Sequence, residues 1–199
     1  MIEWINLVTM VLSSVLMLLF YLKSVSPAAL AAEIGEIAYR KCYYYRLGAS
    51  FFEFIVILTY LGYFIFPVEA FGLPQFFPWE WGLSIIIGIV ILIPSGWLMI
   101  RGLLDAGKEA MAPQVDQKLY QGIYTKIRHP QALGELPLWW VGALFLNSPF
   151  LALYSFIFIP IFYIMVRAEE KDLILRFGEA YKEYRSKTGM FIPKRKRRL

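Results

Sequence analysis

Cysteine and histidine are almost missing from this chain: Cys42 and His129 each stand alone. One cysteine forbids an intrachain disulfide, and one His with one Cys cannot furnish a zinc or haem centre of the His/Cys kind. No metal is expected. Charge is scarce as well, at 18% of residues, against about 25% in soluble domains. Hydrophobic residues fill the deficit at 59%, where about 45–50% is usual. A soluble domain of 199 residues has no interior large enough for that excess, so it must face lipid. The first segment lacks a basic n-region and a small-residue cleavage site, and reads as a retained span, not a signal peptide. No internal repeat or pair of matched broken helices is present, which argues against a transporter.

The apolar residues come in runs. A helix crossing the hydrocarbon core needs about 20 of them, and the runs predict spans at 4–22, 47–68, 81–100, 133–146 and 149–167. Pro94 with Gly96 predicts a kink in the third. Asn147-Ser148-Pro149 is a turn signal that folds the last two runs into a tight helical hairpin. Between the first two spans, residues 27–46 read as a helix lying on the membrane surface. The expected fold is all-α: a single polytopic integral membrane domain over 1–199, with five transmembrane helices, a C-terminal helical hairpin and a cytoplasmic helical tail.

Charge orients the bundle. All 20 Lys and Arg fall within 23–46, 101–128 and 167–198, which five crossings place on one face. The positive-inside rule then predicts a multi-pass cell-membrane protein with its N-terminus outside and its C-terminus in the cytoplasm. The tail Lys194-Arg195-Lys196-Arg197-Arg198 fits the same rule and touches anionic lipid headgroups. Membrane lipids are the expected partners, and nucleic acid is not.

Polar residues concentrate on that inner face in three clusters. The first is Gly122-Ile123-Tyr124-Thr125-Lys126-Ile127-Arg128-His129-Pro130, followed by Gln131-Ala132-Leu133-Gly134-Glu135. The second is Arg167-Ala168-Glu169-Glu170. The third is Phe177-Gly178-Glu179-Ala180-Tyr181-Lys182-Glu183-Tyr184-Arg185, running on to Pro193. Each has a plainer reading: arginines as inner-face anchors, His129 as a cap before Pro130, and Tyr181 with Tyr184 as a packing face. Glu53 lies inside an apolar span, where an ionisable group marks a site or faces the bundle interior.

Taken in order, Gly-x-Tyr-x-x-x-Arg-His-Pro, an uncharged hairpin, Glu-Glu and Phe-Gly-x-x-Tyr-x-x-Tyr resemble the isoprenylcysteine carboxyl methyltransferase family, to which phospholipid N-methyltransferases are related. The resemblance covers residues 118–193. It departs at Ala132, where the family usually carries an aromatic residue. It implies a methyltransferase that uses S-adenosylmethionine and acts on a lipophilic acceptor, such as a prenylcysteine-like carboxylate. A phospholipid amine or a thiol is equally open.

The same resemblance implies the cofactor contacts: Tyr124, Arg128, His129, Pro130, Leu133, Gly134, Glu135, Glu169, Tyr181 and Tyr184. Basic groups suit the cofactor's carboxylate, Glu169 its ammonium and ribose, and aromatic walls its adenine. Gly134 would leave room for close approach. Two residues are candidates for the chemistry. Arg167 would orient a carboxylate acceptor, and Glu170 would serve as base for an amine or a thiol. The rival readings are a membrane reductase that uses NADPH, of the sterol-reductase type, and a non-enzymatic membrane scaffold.

Overall fold

The computed structural model describes residues 1–110, 112 and 121–194. Lys118 and the tail residues 195–198, which enter the charge pattern above, lie outside them. The described residues form eight helices: α1 (Ile2–Ser24), α2 (Pro27–Ile34), α3 (Ile37–Ile65), α4 (Trp81–Ala106), α5 (Pro130–Glu135), α6 (Leu138–Phe145), α7 (Pro149–Tyr154) and α8 (Phe158–Lys187). Short 3-10 turns punctuate the connections.

Four helices are long and apolar enough to cross a membrane: α1, α3, α4 with its 3-10 extension, and α7 continued into α8. The chain is therefore a multi-pass helical membrane protein. Its lipid-facing side chains show plainly on α4, where Ile86, Val90, Ile93, Trp97 and Leu104 are all exposed. The run expected as a fourth crossing, 133–146, holds two short helices, α5 and α6, of 6 and 8 residues. Neither is long enough to cross alone, since each residue adds about 1.5 Å.

The surface helix expected at 27–46 is not continuous. It breaks at Gly35, whose φ of 68° ends α2, and the helix of the second span already begins at Ile37. Asp172, on α8, accepts hydrogen bonds from the backbone N–H groups of Ala28 (2.8 Å) and Ala29 (3.4 Å). These are orphan donors of the first turn of α2, so a distant carboxylate caps the helix and moors it.

The hairpin forms where the turn signal placed it. Asn147 adopts φ 51°, which Asn tolerates better than most residues, and the Ser148 hydroxyl accepts from Leu151 N–H to cap α7. Ser84, on α4, donates to the Asn147 side chain, and Phe77 N–H donates to the Asn147 carbonyl. The core beneath joins Met10 and Met17 of α1 to Val56, Tyr60 and Tyr63 of α3, Trp139 of α6 and Phe158 and Phe162 of α8. Trp139 stacks on Phe158 at 4.0 Å between centroids.

Two prolines lie within the long helices. α4 runs through Pro94 as one helix. Pro160 falls in the first turn of α8, where its missing N–H costs nothing. The true break in α8 is at Gly178, with φ 54° and ψ −127°. No neighbour would meet a Cβ there, so the backbone conformation, not crowding, explains glycine. The chain past it turns back towards the cluster around Arg128.

Candidate functional site

The Arg-His-Pro motif is held by backbone before any side chain acts. Ile127 and Gly189 form an isolated parallel bridge, with Arg128 N–H donating to Gly189 O at 2.9 Å and His129 N–H to Met190 O at 3.2 Å. The chain beyond α8 thus lies along the motif. Tyr184 adds its hydroxyl, which donates to the Tyr124 carbonyl at 2.6 Å.

Side chains complete the clasp. Arg128 is buried, and its Nε donates to Glu170 Oε1 at 2.6 Å. Its Nη1 donates to the carbonyls of Arg185 and Thr188, the carbonyls left open as α8 ends. His129 lies between two carboxylates: Nε2 is 3.2 Å from Glu170 Oε1, and Nδ1 is 3.4 Å from Glu169 Oε2. Both ring nitrogens face acceptors, an arrangement that only the doubly protonated imidazolium satisfies. Burial alone would push the His129 pKa down, but the two carboxylates outweigh it and hold the pKa above its ordinary value.

A titration follows from that geometry. His129 is the only histidine, so a histidine-labelled sample gives one ring signal by NMR. Its midpoint should lie above the unperturbed value of about 6.5. The stability it contributes is fully present below that unfolded value and is lost as pH rises through the folded one. A midpoint at or below 6.5 would contradict the bracketing by Glu169 and Glu170.

Beside the clasp is a cavity of about 200 Å³. Met17 and Tyr21 of α1 and Arg46, Ser50 and Glu53 of α3 line one side. Leu103 and Ala106 of α4, Gln131, Ala132 and Glu135 of α5, and Met165 and Glu169 of α8 line the other. Ser50 of α3 and Leu103 of α4 both line the cavity and are both exposed, so the cavity opens between these two helices. Arg46 Nη1 donates to the carbonyls of Glu109 and Ala110, both at 3.1 Å, which draws the end of α4 over the cavity. Arg176 adds an ion pair to Glu109 at 2.8 Å.

Of the residues expected at the site, Tyr124, Arg128, His129, Glu135 and Glu169 line this cavity. Pro130, Leu133, Gly134, Glu170, Tyr181 and Tyr184 do not. Glu170 is spent on Arg128 and His129. Tyr181 is buried and packs at a tilt against Tyr184, 5.7 Å between centroids. Gly134 does permit a close approach, but of α4: a Cβ there would lie 2.4 Å from Met99 N and 2.6 Å from Ser95 O. Arg167 is exposed and forms no part of the cavity wall.

Sequence reasoning missed Tyr21, Arg46 and Gln131. Arg46 Nε and Gln131 Nε2 are buried without a hydrogen-bond partner, which is costly unless a ligand supplies one. No sequence signal singled out Arg46, because one more inner-face arginine looks like topology. Ala132 lines the cavity where an aromatic residue was expected and leaves it wider there. Among the described residues, no cluster of His, Cys, Asp and Glu suited to a metal ion occurs.

Comparison with known proteins adds a functional dimension. The chain is 40% identical over 75 residues to the protein-S-isoprenylcysteine O-methyltransferase of Saccharomyces cerevisiae, covering 36% of this chain and 30% of that protein. It is 33% identical over 91 residues to methanethiol S-methyltransferase 1 of Bradyrhizobium diazoefficiens, covering 45% and 30%. It is also 31% identical over 130 residues to the methanethiol S-methyltransferase of a Pseudomonas strain, covering 59% and 48%. The chain thus spans less than half the length of each of these relatives. No family model matches it, and no solved structure does.

Proposed function

We propose that this chain, related over part of its length to the isoprenylcysteine carboxyl methyltransferases, is an integral-membrane methyltransferase that uses S-adenosylmethionine and modifies a lipophilic acceptor. The observation that carries this reading is the pairing of unsatisfied donors with a carboxylate in one cavity. Arg46 Nε and Gln131 Nε2 lack partners and suit a carboxylate ligand, while Glu169 suits an ammonium or ribose hydroxyls. The cofactor carries all of these groups. When bound, it supplies a methyl group made electrophilic by a positively charged sulfur.

The chain's own residues do the remaining work. Arg128, fixed by Glu170 and two carbonyls, anchors the motif that carries His129 and Gln131 to the cavity. Glu169 is held by the His129 ring, so its position is set before a ligand arrives. Such preorganisation saves the cost of ordering side chains during reaction. The opening beside Ser50 and Leu103 supports entry of the acceptor from the bilayer. Five crossings with the N-terminus outside, α5 and α6 together making the fourth, would set the cofactor end of the cavity at the cytoplasmic rim.

Calorimetric titration of the purified chain with S-adenosylmethionine tests the reading. Saturable binding is expected, and Arg46→Ala and Glu169→Gln should each weaken it about tenfold or more, the size of a charged hydrogen bond. NADPH should give no saturable heat, in contrast to a reductase. Absence of cofactor binding by folded protein at high micromolar concentration would overturn the proposal.

A further inference from the structure

One piece of the cavity wall is held differently from the rest. Glu109 and Ala110 line the cavity, and they belong to the 3-10 turn Gly107–Ala110 that follows α4. The remaining walls come from α1, α3, α4, α5 and α8 and from the motif segment that the clasp fixes. Gly107 leaves the α4 conformation at φ 60° and ψ −134°, and no neighbour would meet a Cβ there. The turn therefore hangs from α4 by an uncrowded glycine. Side chains of two other helices fasten it. Arg46, on α3, donates Nη1 to the carbonyls of Glu109 and Ala110. Arg176, on α8, pairs with Glu109 at 2.8 Å and lies over the rings of Tyr39 and Phe177, 5.9 and 5.1 Å from their centroids.

The geometry points to residues 107–110 as a flap that closes over the cofactor, with Arg46 as the latch that registers the cofactor's carboxylate and Arg176 as a positioning residue. This rests on the methyltransferase reading and adds a gate to it. One guanidinium serves both sides. Its Nη1 holds the flap, while its buried Nε has no partner. A guanidinium is planar and carries its donors in a fixed fork, so a carboxylate seated on Nε fixes the plane and with it the direction of Nη1. The Tyr21 ring, 5.8 Å from the Arg46 guanidinium carbon, backs that plane. A ligand that favours the closed flap is in turn held tighter by closure, by the same factor. The opening between α3 and α4 does not suit the cofactor's entry. Exposed Leu47 and Phe51 on α3, and Ile100 and Leu104 on α4, stand beside Ser50 and Leu103 there. A ligand with a sulfonium, an ammonium and a carboxylate would have to shed water to pass them. The flap lies instead at the charged end, beside Arg46, Glu109 and Glu169.

Hydrogen–deuterium exchange on the full chain in lipid nanodiscs tests the flap without turnover. Saturating S-adenosylmethionine, or its demethylated product S-adenosylhomocysteine, should slow amide exchange in residues 107–110 about tenfold or more, as a local opening is suppressed. In Arg46→Lys, compared at matched occupancy, that slowing should be lost, because an ammonium cannot bind a carboxylate and two carbonyls in one plane. Rapid-mixing kinetics give the second readout. Arg176→Met should raise the cofactor's dissociation rate about tenfold, the size of a charged hydrogen bond, without slowing its association. The cofactor's KM should rise accordingly while kcat at saturation holds, and Arg176→Lys, which keeps a cation for Glu109, should recover part of the loss. A variant that was merely misfolded would bind slowly or incompletely instead. Bound cofactor with unchanged exchange in 107–110 overturns the flap and leaves the methyltransferase reading standing, as does full slowing in Arg46→Lys or an unaltered dissociation rate in Arg176→Met. A chain that binds no cofactor sinks both. Should the variants fail to fold or to bind, exchange in the unaltered chain with and without S-adenosylmethionine decides alone.

Discussion

Arg128→Met should lower the apparent melting temperature of the detergent-solubilised chain by roughly 6–20 °C. Removing one partner of a buried ion pair costs about 3–5 kcal/mol, and each kcal/mol moves the midpoint of a domain this size by about 2–4 °C. The Arg128 side chain is 8% exposed and that of Glu170 3%, so water cannot replace what is lost. The carbonyls of Arg185 and Thr188 would lose their donor as well. Lysine should not rescue the variant, because a single ammonium cannot span a carboxylate and two carbonyls in the plane of a guanidinium. A double variant, Arg128→Met with Glu170→Met, should be less impaired than Arg128→Met alone, since it leaves less buried charge uncompensated. If the two melt together, the pair is not what welds the motif to α8. Arg167→Ala supplies the control. That side chain is exposed, and its loss should change stability by no more than about 0.5 kcal/mol.

The second large effect is expected from crowding, not from charge. Gly134→Ala should destabilise the chain by about 1–3 kcal/mol or more and weaken cofactor binding at the same time. The added Cβ would press on Met99 N and Ser95 O, which belong to the α4 backbone and cannot rotate away. α4 must then move, and with it Leu103 and Ala106, which form a wall of the cavity. Gly96→Ala, also on α4, has only Leu92 Cδ1 within 4 Å, at 3.9 Å. It should be neutral or slightly stabilising, given the better helix propensity of alanine. Thermal melts and calorimetry on the two variants separate crowding from propensity. Equal behaviour would show that α5 does not pack tightly on α4.

The helical membrane character was legible because it depends on quantities that add along the chain: run length, hydropathy and the placement of charge. The Asn147-Ser148-Pro149 turn was legible for a similar reason, since its signal is local. Hydropathy sees an uncharged run from Leu136 onward, but it does not register that α5 ends and α6 begins around Leu136-Pro137, where both residues keep right-handed helical angles. The surface helix at 27–46 failed on one residue, Gly35, whose positive φ divides a sequence that otherwise reads as continuous. The motif order around Arg128, His129, Glu169 and Glu170 pointed to a common locus, and the structure gathers all four. It also divides them by role: Glu169 faces the cavity, whereas its neighbour Glu170 is consumed by the clasp, because adjacent positions on a helix point about 100° apart.

The sequence by itself determined that this chain belongs in a bilayer, where it turns, and which of its ends carry charge. These follow from transfer free energies that each residue contributes almost independently of its partners. Only the tertiary structure decided which polar groups are satisfied and which await a ligand. Arg46 and Arg128 are alike in sequence, yet one ends in a carboxylate and the other keeps an open N–H towards a cavity. Hydrogen-bond satisfaction is a property of pairs brought together from distant positions, and no single position carries it.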